Sequence, residues 1–351
     1  MDALALHHDA VVVDTHDDLL MLATRRPKAQ QAEYFRTDWL PQLRAGGVDV
    51  QVLPVFVDDE FRPEGALRQT LKMVESGWTI AEGNPDDVAV CLDGADVDAA
   101  LDSGRIALVL ALEGCEAVGR DVELLSTLFR VGVRIASLTH FGRTLLADGS
   151  GEDPAGSRLT HAGVEAVAVM EELGLLLDVS HLGATGVDHV LEIARRPIVA
   201  THSSAYELRG HHRNLTDERL KGIASGGGVV NVNFFAGFLD EDETRYTVGR
   251  VVDHVEHIAG IAGVTAVGLG PDFLDQVFTE LYPTATSMVI EGVDAKKCVP
   301  GLEGPSGLPL VTQELVCRGW AEDDVRAVLG GNDLRLIRDE LGVPLSGRPA
   351  R

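Results

Sequence analysis

The residues of this sequence that could do chemistry stand in short polar runs, each directly following an apolar stretch: Asp14-Thr15-His16-Asp17-Asp18, Glu113, Thr139-His140, Ser180-His181, Thr201-His202 and Pro271-Asp272. His16 and Asp18 are two residues apart, so on an extended backbone their side chains point to the same side and can share one metal ion. A lone His-Xaa-Asp carries little weight. Joined to His181 and His202 after two other apolar runs, and to Glu113 after a third, it becomes a set of imidazole and carboxylate ligands suited to zinc. Five ligands are too many for one tetrahedral ion with an open position, but they fit two ions if Glu113 bridges them. Asp18, Glu113 and a bridging hydroxide would nearly neutralise two Zn²⁺, and the remaining positive charge brings the pKa of bound water to about 7. Asp272 could then orient the hydroxide and pass its proton to a leaving amine. His140 would be free to stabilise the developing oxyanion.

The remaining candidates read as structural. His7, His8, His161, His189, His211 and His212 are taken as surface or capping residues, and His254 and His257, beside Asp253 and Glu256, as a solvated helix face. Gly226-Gly227-Gly228 precedes a strand instead of opening a helix, which argues against a phosphate loop. Cys91, Cys115, Cys298 and Cys317 lack Cys-Xaa-Xaa-Cys spacing, so buried free thiols are expected, with neither a zinc knuckle nor a redox pair.

The elements that must position these residues alternate between Val/Ile/Leu-rich runs and amphipathic stretches, the pattern of a parallel sheet with crossover helices. Eight strands are expected: Ala10–Val13, Val48–Val57, Ile106–Leu112, Arg134–Leu138, Leu175–Val179, Ile198–Ala200, Val229–Val232 and Ala266–Leu269. Helices are expected over Thr160–Leu173, Thr216–Ala224 and Val248–Gly260, with Thr160 as a cap and Gly174 and Gly260 as stops. After the Gly- and Pro-containing segment Pro300–Pro309, helical patterns at Leu310–Arg318 and Asp323–Leu329 form a C-terminal helical appendage, about residues 305–345. The expected fold is therefore α/β, a (β/α)8 TIM-like barrel forming one domain over residues 1–351, with its chemistry at the C-terminal ends of the strands.

Composition narrows the partners. A hydrophobic fraction of 45% and a charged fraction of 24% are those of an ordinary globular chain. A net charge of -25 repels phosphate backbones and anionic membranes, so no nucleic acid and no membrane partner is expected. Residues 1–13 lack a basic leader and run straight toward the first strand, no segment is long and apolar enough to span a bilayer, and Ser346–Arg351 is polar. A cytoplasmic protein is the expectation.

With its motifs in order, the chain resembles the membrane (renal) dipeptidase family of zinc metallopeptidases and its soluble bacterial members. The stretches that carry the likeness are Val13-Asp14-Thr15-His16-Asp17-Asp18-Leu19, Leu112-Glu113-Gly114, Leu138-Thr139-His140, Leu177-Asp178-Val179-Ser180-His181, Thr201-His202-Ser203-Ser204-Ala205-Tyr206, Arg213-Asn214, Gly270-Pro271-Asp272-Phe273, Gly301-Leu302-Glu303 and Gly331-Asn332-Asp333-Leu334-Arg335. The resemblance implies a barrel of the metal-dependent amidohydrolase type with one zinc on His16 and Asp18, a second on His181 and His202, and Glu113 bridging them. It implies that His140 contacts the scissile carbonyl, Arg213 holds the substrate's C-terminal carboxylate, and Asp272 handles the proton. It also implies a homodimer that hydrolyses dipeptides, often with a D-residue at the C-terminal position. A guanidinium suits the carboxylate role because it grips with two parallel hydrogen bonds.

Three stretches depart from the family pattern: Leu19-Leu20-Met21 lacks the usual Pro-Trp, Phe141-Gly142-Arg143 replaces a small polar residue and an asparagine, and Phe273-Leu274-Asp275 replaces Phe-Asp-Gly. Arg143 is the informative change, and it is expected to bind substrate and favour an acidic or acylated N-terminal residue. Alternatives at the same site are an N-acyl amino acid hydrolase, another metal hydrolase, or a non-catalytic metal-binding homologue. Many hydrolases of the second kind bridge their metals with a carboxylated lysine, and Lys28, Lys72, Lys221, Lys296 and Lys297 all lie away from the expected strand ends.

Overall fold

The computed structural model describes residues 2–345, so the polar end Ser346–Arg351 lies outside it. Its nine-stranded parallel sheet comprises β1 (Val12–Asp14), β2 (Val48–Phe56), β3 (Val88–Val90), β4 (Ile106–Glu113), β5 (Val133–Ser137), β6 (Leu176–Asp178), β7 (Val199–Ala200), β8 (Val229–Val232) and β9 (Val267–Leu269). Eight of these follow one another around a barrel in the order β1-β2-β4-β5-β6-β7-β8-β9, and β3 pairs with β4 outside that path. The ring is drawn together between its first and last strands by the Thr15 N–H, which donates to Leu269 O at 3.3 Å. Every residue of β4 is buried, as expected where a parallel strand has side chains inside and helices outside.

The eight expected strands are the eight barrel strands, with ends displaced by a residue or two. The expectation missed β3 and a small hairpin, β10 (Val289–Ile290) with β11 (Val293–Asp294), whose two-residue arms are too short to show a period. The chain also does not enter β1 directly. A helix comes first, Ala3–Asp9, capped by Asp2 Oδ1, which accepts from the Leu4 and Ala5 N–H groups at 3.1 and 3.2 Å. Helix His161–Leu173 begins at Thr160 and stops at Gly174, whose φ of +83° suits glycine. Val248–Ala262 runs two residues past the expected stop at Gly260.

The C-terminal helical appendage consists of Leu308–Cys317, Glu322–Arg326 and Asn332–Glu340. The last of them closes the N-terminal end of the barrel, where Leu334, Leu336, Ile337 and Leu341 pack with Val13, Val50 and Val109 in one buried cluster. Asn332 Nδ2 donates to Val264 O and Val267 O at 2.7 and 2.8 Å, tying this helix to the approach to β9. Gly330 lets the chain pass under β1, because a Cβ there would sit 2.6 Å from Val11 O. Among the described residues, no helix is long and apolar enough to cross a membrane.

Several histidines expected at the surface are buried. His7 bonds Thr312 Oγ1 at 2.6 Å and Gly46 O at 2.8 Å, and His254 accepts from the Ala205 N–H at 3.1 Å while its Nε2 faces Leu239 O at 2.9 Å. His211 Nε2 meets Glu291 O at 3.0 Å, so each of these buried rings satisfies backbone groups that would otherwise be stranded. His257 is half-buried and pairs with the helix residue Asp217 at 2.7 Å. All four cysteines are free, and Cys91 and Cys115 are buried, but Cys298 is only partly covered and Cys317 is exposed.

Candidate metal centre and active site

Every barrel strand except β2 delivers one or two polar side chains to the same end. His16 and Asp18 follow β1, Glu113 ends β4, and His140, His181, His202, Asn233 and Asp272 follow β5, β6, β7, β8 and β9. Glu113 Oε1 is the hub. It lies 2.9 Å from His181 Nε2, 3.5 Å from His16 Nε2, 3.6 Å from His202 Nε2 and 3.9 Å from His140 Nε2. Three sets of ligand atoms lie within 4.8 Å of one another: His16, Glu113 and His202; Glu113, His140 and His181; and His16, Asp18 and Asp272. Every residue expected to bind metal thus belongs to one cluster, and His140 and Asp272, read from sequence as catalytic, border it with ligand-competent atoms.

The electrostatics of this cluster call for positive charge. Burial raises the Asp18 and Glu113 carboxyls well above the ordinary range, and repulsion from Asp272 adds to both. Burial lowers His16 to about 3 and holds His140, His181 and His202 well below the ordinary imidazole value, with Arg213 adding to each. The imidazoles are therefore neutral, with lone pairs free to coordinate, while Arg213 alone faces Glu113 and Asp272 and no cation acts on Asp18, a shortfall of positive charge that a divalent cation would make good. The 2.7 Å approach of His181 Nε2 to His202 Nε2, and the unpartnered Asp18 Oδ1, fit convergence on a cation.

Neighbouring groups hold the ligands in place. Asp178 Oδ1 accepts from the Ser180 N–H at 2.8 Å and the Thr201 N–H at 3.0 Å, and Asp178 Oδ2 accepts from Thr201 Oγ1 at 2.6 Å. That hydroxyl lies 2.9 Å from His202 Nδ1, which fixes the ring with Nε2 toward Glu113. Asp14 accepts from the His16 N–H at 2.9 Å, and the Asp272 N–H donates to His16 O at 3.0 Å, joining the two ends of the barrel beneath the site. Gly270 makes the join possible, since a Cβ there would lie 1.8 Å from Thr201 O. His181 and Asp272 adopt left-handed backbone, φ 66° and 58°, a conformation costly for residues bearing a Cβ and concentrated at functional sites. Asn233 went unread in the sequence, although it directly follows the expected strand Val229–Val232. Its Nδ2 donates to Asp272 Oδ2 at 3.0 Å, while burial raises the Asp272 carboxyl to about 6.

A cavity of about 900 Å³ opens over this cluster, lined among others by Asp18, Glu113, His140, His181 and Asp272. Arg213 is buried beside it, with Nη2 donating to His202 O at 3.0 Å and Nε without a partner. Arg143 is not where the sequence led us to expect it. Its guanidinium turns away to Asp148, with Nη2 donating to Oδ2 at 2.9 Å; the side chain is 56% exposed, and the residue does not line the cavity. Phe141 and Gly142 reach the cavity wall, and the chain then turns outward to the acidic partner five residues on. Arg25 and Arg62 supply the cavity's arginines instead, paired with Asp58 at 2.8 Å and Glu116 at 3.2 Å.

A parallel barrel with converging histidines and carboxylates at the C-terminal ends of its strands defines a metal-dependent hydrolase. The family described as Membrane dipeptidase (Peptidase family M19) matches residues 1–284, and the chain belongs to this family of metal-dependent dipeptidases. An uncharacterised dipeptidase of Schizosaccharomyces pombe is 31% identical, the match covering 91% of this chain and 82% of the relative. Among solved structures, dipeptidase AC of the same family superposes with a TM-score of 0.82 at 26% identity, covering 95% of this chain and 99% of that one. A Rhodobacter sphaeroides metallopeptidase bound to a phosphinate mimic of the dipeptide L-Ala-D-Ala is equally similar, with a TM-score of 0.82 at 25% identity and coverage of 95% and 99%.

Proposed function

We propose that this dipeptidase works with two zinc ions bridged by Glu113, one held also by His16 and Asp18 and the other by His181 and His202, and that it cleaves small dipeptides, L-Xaa-D-Xaa among them. The observation that carries the reading is the gathering of four histidine Nε2 atoms around one Glu113 oxygen, at 2.9 to 3.9 Å. The Rhodobacter sphaeroides relative, bound to its L-Ala-D-Ala mimic, supports the substrate stereochemistry. When bound, such a metal pair supplies a water ionised near neutrality and polarises the scissile carbonyl.

The chain's own residues supply the rest. Arg213 anchors the substrate's α-carboxylate, and its unpartnered Nε offers a donor within a buried, low-dielectric site. His140, the most exposed of the four histidines, offers Nε2 to the oxygen on which charge develops. Asp272 takes a proton on its carboxylate and returns it to the leaving amine, held in orientation by Asn233. The protein is further proposed, on its resemblance to the family's soluble bacterial members, to act as a homodimer in the cytoplasm.

The test is to measure bound metal by elemental analysis and assay L-Xaa-L-Xaa, L-Xaa-D-Xaa and N-acyl amino acid substrates with and without added zinc. Two metals per chain with dipeptide turnover is the expected result. Two metals with turnover of N-acyl amino acids alone would move the function to that chemistry, and a single metal would overturn the binuclear reading.

A further inference from the structure

The cavity is uneven in character, and Arg213, which lines a smaller neighbouring cavity with His181 and Asn214, lies behind its apolar side. The Arg213 guanidinium carbon lies 5.7 Å from the ring centroids of both Phe141 and Phe238. Phe238 belongs to a separate buried apolar cluster with Phe235 and Phe278, against which Phe141, Met288 and Ile290 pack. All six line the larger cavity. On the opposite side, the β2 loop and the residue ending the helix that follows Asp18 contribute the charged Asp58, Asp59, Glu60, Arg62 and Arg25, whereas the apolar side carries one charged residue, Glu291, whose carboxylate is paired with His212 at 3.2 Å.

Resting on the dipeptidase reading, we infer that the subsite for the substrate's C-terminal residue selects a large apolar or aromatic side chain. An α-carboxylate and its side chain leave the same Cα, so a carboxylate held by Arg213 keeps that side chain beside the Phe141–Phe238 wall. A cavity of about 900 Å³ is far larger than two small residues fill, and a small C-terminal residue would leave this wall against water. The wall is also preorganised. Lys296 Nζ donates to Phe278 O and Tyr282 O at 3.1 and 3.0 Å, the Ala295 N–H donates to Met288 O at 2.7 Å, and the β10–β11 turn is pinned where His211 Nε2 meets Glu291 O at 3.0 Å and His212 pairs with the Glu291 carboxylate at 3.2 Å. Little ordering remains for the substrate to impose, so apolar burial translates into selectivity.

The experiment compares kcat/KM of the metal-loaded enzyme for Leu-Phe, Leu-Leu, Leu-Ala and Leu-Asp, each with an L- and a D-residue at the C-terminal position, and product inhibition by phenylalanine and by alanine. Leu-Phe is expected to exceed Leu-Ala by roughly 10- to 100-fold in the accepted stereochemical series. Phenylalanine should also inhibit at lower concentration than alanine. Phe278→Ala, on the helix Asp275–Leu281, and Ile290→Ser, in β10, should each shrink the Leu-Phe to Leu-Ala ratio, so the assignment remains testable if one variant fails to fold. Dipeptide turnover with a ratio near one, or a ratio unmoved in both variants, overturns the subsite and leaves the dipeptidase reading intact. Failure to cleave any dipeptide in the panel overturns both.

Discussion

Replacing Arg213 by lysine keeps a positive charge beside the metal ligands and removes the guanidinium fork. The side chain is buried, one of its nitrogens is committed to His202 O at 3.0 Å, and Nε has no partner. A bound carboxylate would take charge-assisted hydrogen bonds worth about 1.5–3 kcal/mol each, and lysine can return only one of a pair. The expected loss in kcat/KM is one such bond, roughly 10- to 150-fold. Arg213→Ala leaves the carboxylate buried and unpaired, which costs about 3–5 kcal/mol, or roughly 10²- to 10⁴-fold. The assay sets Leu-Phe against its C-terminal amide in wild type and both variants, with bound metal measured throughout because Arg213 also supports the carbonyl of His202. The reasoning fails if the variants depress acid and amide equally while metal content is unchanged, since a carboxylate clamp must act on the acid.

Asp272→Asn should keep its metal and lower kcat by roughly 10²- to 10⁴-fold, because the amide preserves the contact with Asn233 and cannot carry the proton; elemental analysis alongside steady-state kinetics checks both halves. Arg143→Ala should leave the kcat/KM ratio of Glu-Xaa to Leu-Xaa dipeptides unchanged, since Arg143 faces Asp148 outside the cavity, and a collapse of that ratio would restore its role in selection. Burial raises the Asp333 carboxyl to about 7, so the folded state holds this proton more tightly than the unfolded chain does, and the associated stability is full below about pH 4 and lost as pH rises through about 7. Asp333→Asn should therefore raise Tm at pH 8 and change it little near pH 4, with an identical shift at both pH values counting against the account. Stripping metal with a chelator should lower Tm, by an amount that grows with the concentration of added zinc in the reference sample, as differential scanning calorimetry would record. An unchanged Tm after verified metal loss would separate the cluster from metal binding.

The barrel was legible because its strands are short apolar runs without alternation, buried on both faces, and such runs stand out between amphipathic helices. The site was legible for a related reason: a polar residue directly after a buried strand has few structural uses at that end of a barrel, and six strands offered one. The outward pairing of Arg143 was not legible because linear proximity to His140 says nothing of the turn at Gly142, although Asp148 five residues on was a visible partner of opposite charge. His254 looks solvated beside Asp253 and Glu256, but Val251, Val255 and Ile258 on its own helix, at spacings of three, one and four, place it on the buried face. The closing helix Asn332–Glu340 was hidden because only part of its face is apolar. It caps the end of a barrel, so Asn332 and Asp333 are buried with their polar groups turned to the strands, a pattern that periodicity scores as surface.

The departures from ordinary backbone and protonation chemistry coincide with the inferred site. Of the three residues other than glycine with positive φ among those described, His181 and Asp272 belong to the cluster around Glu113, and Glu291 holds the β10–β11 turn at the cavity's edge. Left-handed backbone costs about 1–2 kcal/mol at each such residue, and burying unneutralised carboxylates costs more, so a chain selected for stability alone would shed both. At His181 the turn brings Nε2 within 2.9 Å of Glu113 and 2.7 Å of His202, and at Asp272 it sets the carboxylate against Asn233, at 3.0 Å. The strain therefore acts on side-chain direction at the positions to which the proposed function assigns metal ligation and proton transfer, while the β8–β9 end of the barrel absorbs its cost through backbone bonds such as Phe234 N–H to Pro271 O at 3.0 Å. On the reading proposed above, substrate preference is set farther out, by the Phe141–Phe238 wall and the residues between Leu274 and Ala295 that pack on it, so recognition can change without disturbing the ligand cluster.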